Sequence, residues 1–104
     1  MKRLGARELA AYLETHQPAL IDVREPWEFE ICHIAGSELI PMSHIPSRIE
    51  RFRQPGEYVI ICHHGIRSLQ VQHYLARHGI TDTINLDGGV EAWAREVDPQ
   101  MPTY

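Results

Sequence analysis

Short apolar runs alternate with helix-patterned segments along almost the whole of this 104-residue chain. ALIDV (19–23) and EYVIIC (57–62) read as strands buried on both faces, TINL (83–86) as another, and ELIPM (38–42) as a weaker one stopped by proline. Between them, ARELAAYLET (6–15) sets Leu9 and Leu13 at helical spacing, and PWEFEICHI carries Pro26 where a first helical turn tolerates it. IPSRIERF aligns Ile45, Ile49 and Phe52 as a helical stripe, with Ser43 as a candidate cap. SLQVQHYLARHG puts Val71, Tyr74, Leu75 and His78 on one face and stops at Gly79, and Gly88-Gly89 leads into a short helix through Trp93. Strands that alternate with helices are joined most economically into a parallel sheet covered on both faces, an α/β architecture. The length suits a single domain spanning 1–104, and no repeat, linker or low-complexity segment interrupts it.

Ligands of such sheets bind beyond the carboxyl ends of the strands. That rule places Arg24, Cys62 and Asp87 with Gly88 at one edge of the molecule, and Cys32 with the backs of the helices at the other.

CHHGIRS (62–68) lies between the most strand-like segment and a helix. A loop there can turn successive N–H groups inward, and the helix start adds about half a positive charge. Helix N-termini and neighbouring cations are the settings that convert a thiol to thiolate near neutrality. Gly65 supplies backbone freedom, Arg67 a planar fork of donors for an incoming oxyanion, and Ser68 a helix cap. The competing reading is that Cys62 is a small core residue, Arg67 a solvated helix residue and Ser68 an ordinary cap.

Composition narrows the chemistry. Ten basic against fourteen acidic side chains leave a net charge of −4, and the basic set is one lysine and nine scattered arginines. That excludes the broad basic face of a nucleic-acid binder. No apolar run is long enough to span a bilayer, and MKRLGARELAAYLETHQ lacks a signal-like stretch, so the chain is expected to be cytoplasmic, with no membrane partner. Two cysteines, neither in a CxxC pair, form no disulfide framework and suit a reducing compartment. No cofactor motif occurs. The Cys-His runs at 32–33 and 62–64 lack a standard ligand spacing, and no metal site is expected.

At this point the chain resembles a known family. CHHGIRS is similar to the active-site loop of the rhodanese sulfurtransferases. DVREPWEFEICHIAGS resembles the family segment DVR-x-x-x-E-[FY]-x-x-G-H-I-x-G-[AS], ELIPM its following strand, and LDGGVEAWAREVDPQMPTY its closing G-G-x-x-A-W segment. The blocks run from Leu4 to the C-terminus. The resemblance implies a five-stranded parallel sheet flanked by helices. It also implies that Cys62 is a nucleophile holding sulfane sulfur as a persulfide, cradled and approached through His63, His64, Gly65, Ile66, Arg67 and Ser68. Arg67 would orient a small anionic donor such as thiosulfate, and Asp22 with Arg24 would brace the loop. The acceptor would be cyanide, a small thiol or a protein thiol.

Four residues separate Cys62 from Arg67, the shorter loop of sulfur transfer, whereas the related phosphatases carry one more. Where relatives place a basic or hydroxyl residue after the nucleophile, this chain has His63 and His64; their protonation would strengthen the positive field, but the preferred reading is that both rings face solvent and only their backbone counts. Cys32 replaces the usual glycine and reads as packing. Trp93, Trp27 and Phe29 read as core or near-core residues, and Glu28 as the partner of a nearby arginine. The D-P-x-x-P-x-Y tail is similar to tails on rhodanese domains fused to ubiquitin-activating-like enzymes. It raises a second expectation, a sulfur relay to a protein acceptor in cofactor or tRNA thiolation. A third, a non-catalytic binding module, sits poorly with Cys62, Gly65 and Arg67 occurring together.

Overall fold

The computed structural model describes residues 1–104. Strand β1 (Lys2–Leu4) leads through Gly5 to helix α1 (Ala6–Tyr12), then β2 (Ala19–Asp22), α2 (Pro26–Ile31) and β3 (Glu38–Leu39). Two 3-10 stretches, Met42–His44 and Pro46–Arg53, follow before β4 (Tyr58–Ile61), α3 (Ile66–Arg77), β5 (Thr83–Leu86) and α4 (Gly89–Glu96). The five strands make one parallel sheet in the order β1-β5-β4-β2-β3. The alternation in the sequence therefore produces the α/β fold it implies.

The pleat divides the core. Tyr58, Ile60 and Cys62 continue one face of β4 and pack with Val71 and Leu75 of α3, with Ile45 between the two 3-10 stretches and with Phe52 of the second. Val59 and Ile61 face the other way, onto Leu9 of α1 and Val90 and Trp93 of α4. All four residues of β4 and of β5 are buried; β4 is accordingly apolar throughout, whereas β5 interleaves the polar Thr83 and Asn85 with Ile84 and Leu86. No helix is long and apolar enough to cross a membrane.

Several elements differ from the sequence reading. β1 was not evident: its three residues include two exposed cations and no apolar run, and its place at the sheet edge comes from pairing with β5. Gln72 secures that edge by donating to the carbonyls of Lys2 (2.8 Å) and Thr83 (3.3 Å). The buried stripe of α3 is accordingly Ser68, Val71, Gln72 and Leu75, with Tyr74 and His78 nearer solvent. ELIPM contributes only Glu38–Leu39 to the sheet, because Pro41 cannot extend the ladder. The segment after Ser43 is 3-10 rather than α, and Ser43 does not cap it.

Candidate active site

β4 ends at Ile61 and delivers Cys62, 1% exposed, to the carboxyl edge of the sheet. The chain then reverses over His63 and His64 and enters α3 through Gly65. Gly65 is the N-cap of α3, at φ +91°, and a Cβ there would meet Gly88 N at 2.9 Å and Leu86 O at 3.0 Å. With that turn made, the N–H groups of Gly65 (3.1 Å) and Ser68 (3.3 Å) both donate to Cys62 Sγ. The sulfur thus lies at the amino end of a twelve-residue helix, facing its unpaired N–H groups.

The carbonyls of the loop are held elsewhere. Val90 N donates to Cys62 O at 2.9 Å and Glu91 N to His63 O at 3.2 Å, so the first free donors of α4 fix the outer rim. Gly89 is required at this approach, since a Cβ would lie 2.2 Å from His63 O. Beneath the loop, Asn85 of β5 donates to Gly65 O (3.2 Å) and to Asp87 Oδ1 (2.8 Å), both acceptors, which leaves its carbonyl for the Ser68 hydroxyl at 2.5 Å. The Ser68 proton is therefore committed to Asn85. Ser68 Oγ can accept from a Cys62 thiol at 3.3 Å rather than donate to it. Ser68 is not the side-chain cap expected from sequence; its backbone N–H and its hydroxyl both serve the loop. Asn85 was missed, although an asparagine inside an apolar strand was the signal.

Charge around the loop is paired. Arg67 grips Glu28 through Nη1–Oε2 and Nη2–Oε1, both 2.8 Å. Glu28 also accepts from Glu25 N at 2.9 Å, as the capping box of α2, and from Tyr104 OH at 2.8 Å. The Arg67 hydrogen bond pulls the Glu28 carboxyl down to about 2, outweighing burial, with the Glu25 N–H and Tyr104 assisting. Glu28 in turn holds the Arg67 guanidinium above its ordinary value. Arg24 is fully buried: it binds both Asp22 oxygens, donates to Cys32 O at 2.6 Å, and donates to Tyr104 OH at 2.8 Å. Burial opposes its charge, but Asp22 and Tyr104 more than compensate, so it too is held above its ordinary value. Burial, reinforced by the Glu28 hydrogen bond, pushes the Tyr104 phenol up to about 12, against Arg24.

Asp22 and Arg24 make no hydrogen bond to the backbone of residues 62–67. A chain of hydrogen bonds runs instead from Arg24 through Tyr104 and Glu28 to Arg67. Tyr104 also stacks on His63 with ring centroids 3.9 Å apart, and His63 stacks on His64 at the same distance. Burial and the neighbouring His64 lower the pKa of His63, so its charging is displaced to more acid pH than an ordinary histidine.

The carboxyl-edge rule does bring Arg24, Cys62 and Asp87–Gly88 together, but two placements need correcting. Cys32 lies at this end of the sheet, in a crevice with His63, Glu91 and Tyr104. The six-residue helix α2 rises only about 9 Å, too little to carry the chain to the opposite edge. Cys32 nevertheless packs on the opposite face of the sheet from Cys62, among Ile34, Trp93 and Met101. Trp27 is not a core residue: it is 59% exposed and meets Tyr104 edge-on at 5.9 Å, because Glu28 is the α2 residue that turns inward.

Residues 5–96 match the rhodanese-like domain family. Over 101 residues the chain is 39% identical to the probable adenylyltransferase/sulfurtransferase MoeZ of Mycobacterium tuberculosis, an alignment covering 94% of this chain and 26% of that protein. It is 34% identical over 114 residues to the adenylyltransferase and sulfurtransferase MOCS3 of Drosophila virilis, covering 99% and 25%. The chain thus spans about a quarter of the length of these two relatives. Among solved structures, a rhodanese-like domain protein from Staphylococcus aureus superimposes with a TM-score of 0.83 at 34% identity, covering 100% of this chain and 99% of that one.

Proposed function

The chain belongs to the rhodanese-like family of sulfurtransferase domains, and we propose that it moves a sulfane sulfur through a persulfide on Cys62. In this cycle thiolate Cys62 attacks the outer sulfur of a donor. A Cys62–sulfur bond forms, the donor's sulfur–sulfur bond breaks, and the leaving group, sulfite in the case of thiosulfate, departs with the electron pair. A nucleophilic acceptor then attacks the terminal persulfide sulfur and releases Cys62 as thiolate. The observation carrying this reading is the convergence of the Gly65 and Ser68 N–H groups on Cys62 Sγ, which supplies hydrogen-bond donors to a sulfur anion in a site nearly closed to water.

The test is intact-protein mass after incubation with thiosulfate or a desulfurase-generated persulfide, before and after cyanide. One added sulfur, located on Cys62 and removed by cyanide, is expected with at least one donor. Absence of the adduct with both would sink the proposal.

A second reading concerns partners: sulfur passes to and from protein thiols rather than small anions. It is favoured by the pairing of Arg67 with Glu28 and Arg24 with Asp22, which balances the charge of both cations before an oxyanion arrives. Around the same loop, Ile66 is 68% exposed, Trp27 59% and Tyr104 36%, an apolar rim of the kind that a protein partner covers. Transfer at least tenfold faster from a protein persulfide than from thiosulfate would support it, and the reverse order would remove it.

A further inference from the structure

Glu91 was unremarkable in the sequence, yet α4 carries it to the two histidines that follow Cys62. His64 Nε2 lies 3.2 Å from Glu91 Oε2, and the ligating atoms of His63, His64 and Glu91 all fall within 4.8 Å of one another. We propose that His63, His64 and Glu91 form a binding site for a borderline divalent cation of the zinc type beside the Cys62 loop. The donor set, two imidazoles and one carboxylate, is one that zinc accepts while leaving a further position open.

Placement favours a common ion despite the adjacency of the histidines. The Glu91 N–H is bonded to the His63 carbonyl at 3.2 Å, so the backbone carrying the carboxylate is already tied to the backbone carrying the imidazoles. Tyr104 supports one face of the His63 ring. Coordination at about 2.1 Å needs donors roughly 3.4 Å apart, so a pair at the 4.8 Å limit has to close by about 1.4 Å. The side chains of His64 and Glu91, 52% and 44% exposed, can supply that movement, with His64 leaving its stack on His63. Around the cluster, Tyr104 stacks on His63, Cys32 lines the same crevice, and His63 feels the charges of Glu28 and Arg24, which oppose each other. An ion held here stands over the chain segment that carries Cys62 and obstructs its approach.

The test is calorimetric titration of the Cys62→Ser protein with zinc chloride, which removes that thiol as a competing ligand. One site of micromolar affinity is expected, weakened at least tenfold by either His64→Ala or Glu91→Gln in the same background. Circular dichroism checks that each variant is folded. Should the serine background fail to fold, cobalt(II) added to the wild-type protein serves instead: visible d–d bands without a sulfur-to-cobalt charge-transfer band identify nitrogen and oxygen ligation. No binding, binding that survives either substitution unchanged, or a charge-transfer band from sulfur overturns the site. Where the Cys62 cycle holds, zinc should also inhibit sulfur transfer in the wild type and not in Glu91→Gln. The calorimetry stands without that assay, so failure of one reading is distinguishable from failure of the other.

Discussion

Both terminal nitrogens of Arg67 are bound to both carboxylate oxygens of Glu28, each contact 2.8 Å long. The arginine at the end of the Cys62 loop is thus already paired with a carboxylate. Two of its five N–H donors are committed, and its charge is balanced at contact distance. Glu28→Gln should therefore restore a net positive charge to the entrance. Its KM for thiosulfate is expected to fall roughly three- to tenfold at low ionic strength, and less in salt. An unchanged or higher KM would remove Arg67 from donor binding.

The same carboxylate ties stability to pH. Its pKa is depressed, from 4.5 to about 2, so the stabilisation is fully present above about pH 4.5 and is lost as pH falls through about 2. Chemical denaturation between pH 6 and pH 2 should show the wild type losing roughly 3 kcal/mol through this group. Glu28→Gln should start less stable and have a shallower acid limb. Parallel curves for the two proteins would contradict the assignment.

Cys62→Ser should abolish persulfide formation, because oxygen in that seat is no sulfur nucleophile. Cys32→Ser should leave it near wild type, since Cys32 packs on the other face of the sheet, with its sulfur 3.9 Å from Arg24 Nη1. Mass spectrometry of both variants after treatment with a donor checks the pair, and loss in Cys32→Ser alone would move the site.

Gly65→Ala and Gly36→Ala place an alanine at nearly the same positive φ, +91° and +85°, but only Gly65 has backbone against the new methyl group. Gly36→Ala should cost about 1 kcal/mol from conformation alone. Gly65→Ala should cost about 2–4 kcal/mol and lower the rate of persulfide formation. Equal unfolding midpoints would mean that the Gly65–Gly88 approach is not limiting.

How far the molecule was legible in its sequence depended on whether a feature was local. The apolar runs of β2, β4 and β5 and the turn residues of the Cys62 loop are properties of adjacent residues, and they located the sheet and the loop. β1 was hidden because an edge strand is defined by its neighbour, here β5 and the Gln72 side chain, rather than by its own apolarity. Asn85, Glu91 and Tyr104 reach the site from β5, α4 and the tail; an asparagine among apolar strand residues marks the first, and nothing adjacent in the chain announces the other two. Glu28 was expected to find an arginine; that it would also cap its own helix and hold Tyr104 is a consequence of its turning inward where Trp27 turns out.

The bonds from Val90 and Glu91 to the carbonyls of Cys62 and His63 make the seat of the sulfur the joint property of two segments far apart in the chain. A partial opening that lifts the last helix away, without unfolding the central strands, would release those carbonyls and expose the thiol. Alkylation and peroxide damage at Cys62 should then be timed by that sub-global opening, and amide exchange at Val90 and Glu91 should keep the same clock.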